Sequence, residues 1–130
     1  MPEHRNFPDD IKIDAPFSNL VIDDDHVYLS GLVAADVEEG LAVLGDIQAE
    51  TEVIMKTIKF LLGQVDLDMS DIVRCDVHLT DLDNMDVMNV AYGGYFETGA
   101  YPARTTTQSE ALFGGSGVEV TCVARRPNPP

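Results

Sequence analysis

The sequence predicts an α+β domain: a mixed, mostly antiparallel sheet with two helices on one face, in the order β-β-α-β-α-β-β. Three observations predict it. Two β-prone runs near the start are separated only by Asp23-Asp24-Asp25, a hairpin turn by its chemistry, since Asp bonds its own backbone and tolerates turn geometry. Apolar residues then recur at 47, 54, 58 and 61, the spacing of one helix face. Residues 72–79 alternate instead, with Val73, Cys75, Val77 and Leu79 on one side and Arg74, Asp76 and His78 on the other.

In chain order, residues 1–13 read as irregular, punctuated by Pro2 and Pro8. Strands are expected over 17–22 and 26–32, paired as a hairpin, with Gly31 allowing a bend or a close backbone approach. Residues 34–45 form a connector. Asp46 reads as the N-cap of the first helix, Val53 and Leu62 widen its apolar stripe, and Gly63 reads as its stop. After the strand at 72–79, Asp83 and Asp86 resemble a capping pair for a second helix marked by Met85, Met88, Tyr92, Tyr95 and Phe96 and weakened by Gly93-Gly94. Strands over 103–110 and 117–125 follow, joined by the turn Gly114-Gly115-Ser116-Gly117. Residues 127–130, with three prolines, cannot continue a ladder and read as an irregular end.

At 130 residues a single domain over 1–130 is the default, large enough to bury a real core. Eight basic residues face twenty-three acidic ones, a net charge of −15. That balance argues against nucleic acid or an anionic membrane as partner, because both are held by Lys and Arg. It suits a repulsive, soluble surface. Cys75 and Cys122 sit in alternating apolar runs and read as buried free thiols, which points to a reducing compartment. With no apolar leader visible and no run of membrane-spanning length, a cytoplasmic location is the expectation.

Few constellations carry chemistry. His4, His26 and His78 have no ligand spacing and the cysteines are 47 positions apart, so no metal site is expected. Asp81-Leu82-Asp83-Asn84 lacks the glycine and terminal glutamate of a calcium loop. The Gly-rich turn leads into a strand and not a helix, so it is no phosphate cradle. Arg104 remains. It is the only basic residue between Arg74 and Arg125, and Glu119 follows it by fifteen positions. Two readings of Arg104 stand here: a structural ion pair, with Glu119 a candidate partner, or a clamp for a small carboxylate, with Glu119 acting on a water or proton.

Several segments together resemble the RidA/YjgF family of reactive-intermediate imine deaminases, also labelled endoribonuclease L-PSP. They are Ala15-Pro16-Phe17-Ser18-Asn19, Leu29-Ser30-Gly31, the stretch from Gly45 to Thr51, His78-Leu79-Thr80-Asp81-Leu82, residues 87–96, Tyr101-Pro102-Ala103-Arg104-Thr105-Thr106-Thr107 and residues 117–126. Each is weak alone; their order and spacing across 14–126 are specific. The resemblance implies a subunit like chorismate mutase of the Bacillus type, three of which form a homotrimeric barrel with clefts between subunits. It implies hydrolysis of 2-imino and enamine acids to 2-keto acids and ammonia without a cofactor. Arg104 would bind the substrate carboxylate and Glu119 would handle water, with Phe17, Ser30, Asn89 and Thr106 lining the cleft.

The chain also departs from the family pattern. Phe17 stands for the usual tyrosine, Leu32 for a common glutamine, Thr106 for a cysteine and Thr121 for a second glutamate. Each alters pocket polarity and so bears on which imino acids the pocket takes. The alternatives are a carboxylate-binding or regulatory trimer without turnover and, against the acidic charge, an endoribonuclease.

Overall fold

In a computed structural model that describes residues 2–12 and 15–127, one seven-stranded sheet organises the chain. The strands are β1 (Glu3–Arg5), β2 (Leu20–Ile22), β3 (His26–Leu29), β4 (Leu32–Val33), β5 (Ile72–Leu79), β6 (Ala103–Gln108) and β7 (Val118–Arg125). They lie in the order β1-β2-β3-β7-β5-β6, with β4 also paired to β7. All pairings are antiparallel except β5 with β6. The helices are α1 (Glu38–Leu41), α2 (Ile47–Gly63) and α3 (Met85–Gly93), with short 3-10 turns between elements.

The α+β class, the β2–β3 hairpin and the two main helices are present, but β2 starts only at Leu20, β3 stops at Leu29 with Leu32–Val33 a separate strand, and α3 ends at Gly93, short of Tyr95 and Phe96. The differences have local causes. Residues 3–5 are not irregular: Glu3, His4 and Arg5 pair with Ile22, Val21 and Leu20 and extend the hairpin. Val73 does not face the core. A bulge between Ile72 and Arg74 shifts the alternation by one, so Ile72 is buried and Val73 is 42% exposed. The second helix is entered differently from the capping pair expected of Asp83 and Asp86. Asp81 accepts from the Asp83 amide and caps a 3-10 turn, Leu82–Asn84, that runs into α3. The connector at 34–45 holds a 3-10 turn and α1. The strand expected over 103–110 ends at Gln108.

Asp46 caps α2 as expected, accepting from the Ala49 amide at 3.1 Å. Gly63 ends the helix, but Asp66 turns the chain. Asp66 has φ 62°, Leu67 donates its amide to the Leu62 carbonyl at 2.9 Å, and Asp66 donates to Gly63. This is a Schellman closure with Asp in the left-handed position. The turn before β7 does need its glycines: Gly114 and Gly115 have φ 69° and 79°, and a Cβ on Gly114 would fall 2.4 Å from the Ala35 Cβ.

The core lies between α2 and the sheet. Ile54, Met55, Ile58, Leu61 and Leu62 pack on Leu29, Val77, Leu79, Val118 and Val120. One charged residue is fully enclosed there. Glu50, in the first turn of α2, accepts the Gly117 amide at Oε1 and the Gly45 amide at Oε2, both at 2.8 Å. Its carboxylate therefore ties α2 to the entry of β7, two residues before Glu119.

Candidate functional site

Register sorts the site residues by face. Cys75 lies between Arg104 on β6 and Cys122 on β7, so the three side chains form one row on the helix-bearing face. His78 lies between Thr107 and Glu119, one row on the opposite, helix-free face. Arg104 and Glu119 therefore project from opposite faces of one sheet. That removes Glu119 as an ion-pair partner of Arg104 within the subunit.

Six candidate residues divide into two groups. On the helix face, the Arg104 guanidinium stands 4.9 Å from the ring centre of Tyr92 on α3, within cation–π range. No carboxylate pairs with Arg104 among the described residues. Asn89 precedes Tyr92 by one helical turn, and Thr106 follows Arg104 on the same face of β6. Among the described residues, three buried side-chain oxygens lack a hydrogen-bond partner: Asn89 Oδ1, Tyr92 OH and Thr106 Oγ1. Each costs roughly 1–3 kcal/mol when left unmade. The three lie on α3 and β6, the two elements that carry Tyr92 and Arg104. Burial, then the neighbouring Cys75 thiol, pushes the Tyr92 phenol far up, so it is neutral at physiological pH.

The second group is Phe17, Ser30 and Glu119. Ser30 donates its hydroxyl to the Ser18 carbonyl at 2.6 Å, which fixes the loop carrying the exposed Phe17. Gly31 lies against Glu119: a Cβ at position 31 would sit 2.3 Å from Glu119 Oε1 and 3.0 Å from Thr121 Oγ1. The missing side chain at 31 makes room for the Glu119 carboxylate. Thr121 borders Glu119 on the same face of β7. Leu32 does not line a cleft. It is 4% exposed, pairs with Val120 and belongs to the core.

Three residues were not singled out as site members from the sequence. Tyr92 reads there as one more apolar position on α3; only the Arg104 register reveals it as a platform. Gly31 reads as a bend. His78 reads as the polar side of an alternating strand. It stands beside Glu119, with Nδ1 2.7 Å from the Thr107 hydroxyl. The pairing of β5 with both β6 and β7, which sets that row, has no local signal.

A cleft of about 510 Å³ lined by Asp10, Val37, Glu38, Lys56 and Phe60, among others, contains none of the six. Three or more metal-ligating side chains do not cluster anywhere among the described residues. No described helix is long and apolar enough to cross a membrane.

The single sheet with helices on one side is an α+β subunit, with Arg104 in the seam beside α3. The chain belongs to the family described as Endoribonuclease L-PSP, whose model matches residues 8–126, and which includes the RidA/YjgF proteins. It is 43% identical over 97 residues to Protein DfrA of Myxococcus xanthus, covering 75% of this chain and 73% of that one. It is 31% identical over 109 residues to the human 2-iminobutanoate/2-iminopropanoate deaminase, covering 84% and 79%. Among solved structures, the Rid-family protein of unknown function YyfA of Yersinia pestis superposes with a TM-score of 0.88 at 25% identity, over 97% of this chain and 100% of that one. RidA of a Psychrobacter species gives 0.85 at 25%, over 95% and 99%.

Proposed function

We propose that the chain hydrolyses 2-imino or enamine acids to 2-keto acids and ammonia, as a homotrimer whose clefts take residues from two subunits. The observation that carries this reading is Arg104: half-buried, stacked on Tyr92 and without a carboxylate partner among the described residues. A guanidinium held that way is prepared for a carboxylate from outside the chain. Relatives named as imine deaminases supply the reaction class.

The separation of Arg104 and Glu119 supports a site built from two copies. One subunit presents Arg104, Tyr92, Asn89 and Thr106; a neighbour presents Glu119, Gly31, Ser30 and the Phe17 loop. Closing a ring of three brings unlike surfaces together, as a heterologous interface does.

The chemistry asks little of the protein. Arg104 takes the substrate carboxylate in two parallel hydrogen bonds and fixes the plane of the C=N group. Glu119 orients a water and accepts its proton as the oxygen adds to the imine carbon. Glu119 passes that proton to the carbinolamine nitrogen; the C–N bond then breaks as the hydroxyl gives its proton back to the Glu119 carboxylate, so the C=O bond forms and nitrogen leaves as ammonia. No redox step and no cofactor enter this balance.

The test is imine generated in situ by an amino-acid oxidase acting on a panel of L-amino acids, with semicarbazide trapping the imine that escapes. The enzyme should lower trapped imine and raise keto acid. Equal trapping with and without protein for every amino acid defeats the proposal.

A further inference from the structure

Cys75 and Cys122 are directly paired across β5 and β7, and their sulfurs stand 3.2 Å apart with both side chains buried. We propose that this pair is an oxidative modification site: a small peroxide closes it to an intramolecular disulfide in the row that ends at Arg104. This inference does not depend on the deaminase reading.

Geometry carries it. A disulfide needs sulfurs about 2.05 Å apart, so the pair has only about 1.2 Å to close. Opposed residues of adjacent antiparallel strands already hold their Cβ atoms at short range, so rotamer adjustment and a small strand approach suffice. The opposed register leaves little choice of partner: each sulfur has the other as its nearest thiol, and both are free.

Chemistry gives the two sulfurs different parts. The hydrogen bond between them lowers the Cys75 thiol, while that bond and burial push Cys122 well up. Cys75 is therefore the better nucleophile. Its thiolate attacks one peroxide oxygen; the O–O bond breaks, and water leaves as Cys75 becomes a sulfenic acid. The Cys122 sulfur then attacks the Cys75 sulfur, the S–O bond breaks, and a second water leaves with the thiol proton. Two thiols and one peroxide thus give one disulfide and two waters. The two sulfur atoms are oxidised and the peroxide is reduced.

Access comes from the sheet edge. Among the described residues, β6 is an edge strand paired only to β5, and the nine-residue α3 covers the Arg104 seam with three polar atoms that lack a partner there. Local opening there admits a molecule scarcely larger than water, so oxidation is slower than at an exposed thiol.

The experiment treats the native full-length protein with hydrogen peroxide, quenches with an alkylating agent under denaturing conditions, and maps tryptic peptides by mass. Cleavage after Arg74, Arg104 and Arg125 places the two cysteines in separate peptides, 75–104 and 105–125. The expected product has lost about 2 Da, takes no alkylating agent, and yields the two peptides cross-linked until reduced. Circular dichroism recorded alongside must stay native. Cys122→Ser should instead accumulate a sulfenic acid at Cys75 that a dimedone probe captures. If that variant does not fold, the wild-type peptide map decides alone. Two thiols that stay alkylatable at peroxide levels oxidising free cysteine, oxygen adducts without the cross-link, or dimers joined between chains would each overturn the proposal.

Discussion

Replacing Gly31 by alanine isolates the contribution of Glu119 without touching its charge. The added Cβ would lie 2.3 Å from Glu119 Oε1 and 3.1 Å from its Cδ. Ordinary contact requires the carboxylate to retreat by roughly 1 Å, a displacement that costs a positioned catalytic group about 10²-fold, or about 2.7 kcal/mol of barrier. Gly31 has no left-handed φ, so alanine fits its backbone, and the atom that must move is the end of a flexible side chain. Melting temperature should therefore stay within a few degrees of wild type. Steady-state keto-acid formation should show kcat reduced about 10²-fold with KM little changed, because the Arg104 clamp is intact. Wild-type kcat in a folded Gly31→Ala protein would refute the placement of Glu119 beside the reacting water.

Other substitutions test the remaining parts. Arg104→Ala should lower kcat/KM by about 10²-fold or more, the loss of charge-assisted hydrogen bonds, and Arg104→Lys should recover little because the bidentate fork is gone. Mixing inactive Arg104→Ala and Glu119→Gln subunits after joint refolding should restore activity in about a quarter of sites if the two residues come from different copies; no recovery in confirmed mixed trimers would exclude a shared cleft. Tyr92→Leu should raise KM several-fold, in line with a cation–π contact of about 0.5–2 kcal/mol, measured against keto-acid inhibitors as well. Glu50→Ala strands the amides of Gly45 and Gly117 and should cost at least about 2 kcal/mol, read as a reduced midpoint in chemical denaturation.

Local chemistry made much of the fold readable. Aspartate turns, the stripe at 47, 54, 58 and 61 and the alternation from Arg74 onward each carry their own signal, and the elements appear where those signals stand. What could not be read depends on pairing. Val73 changes face because a bulge is a property of two strands, not one. Residues 3–5 form a strand because the β2 edge is free to receive them. The same limit applies to the site. Arg104 stood out as a lone cation, but its platform, Tyr92, comes from strand and helix packing. The faces of Arg104 and Glu119 follow only from registers across three strands.

Opposite faces for Arg104 and Glu119 also bear on how such a protein is assayed. If catalysis belongs to the junction between copies, specific activity is a function of protein concentration and falls as the assembly dissociates on dilution. Each copy carries a charge of −15, so mutual repulsion opposes that junction most strongly at low ionic strength, where screening reaches about 30 Å. Dilute, salt-poor buffer would then silence the enzyme while every subunit remained folded, and added salt would restore it.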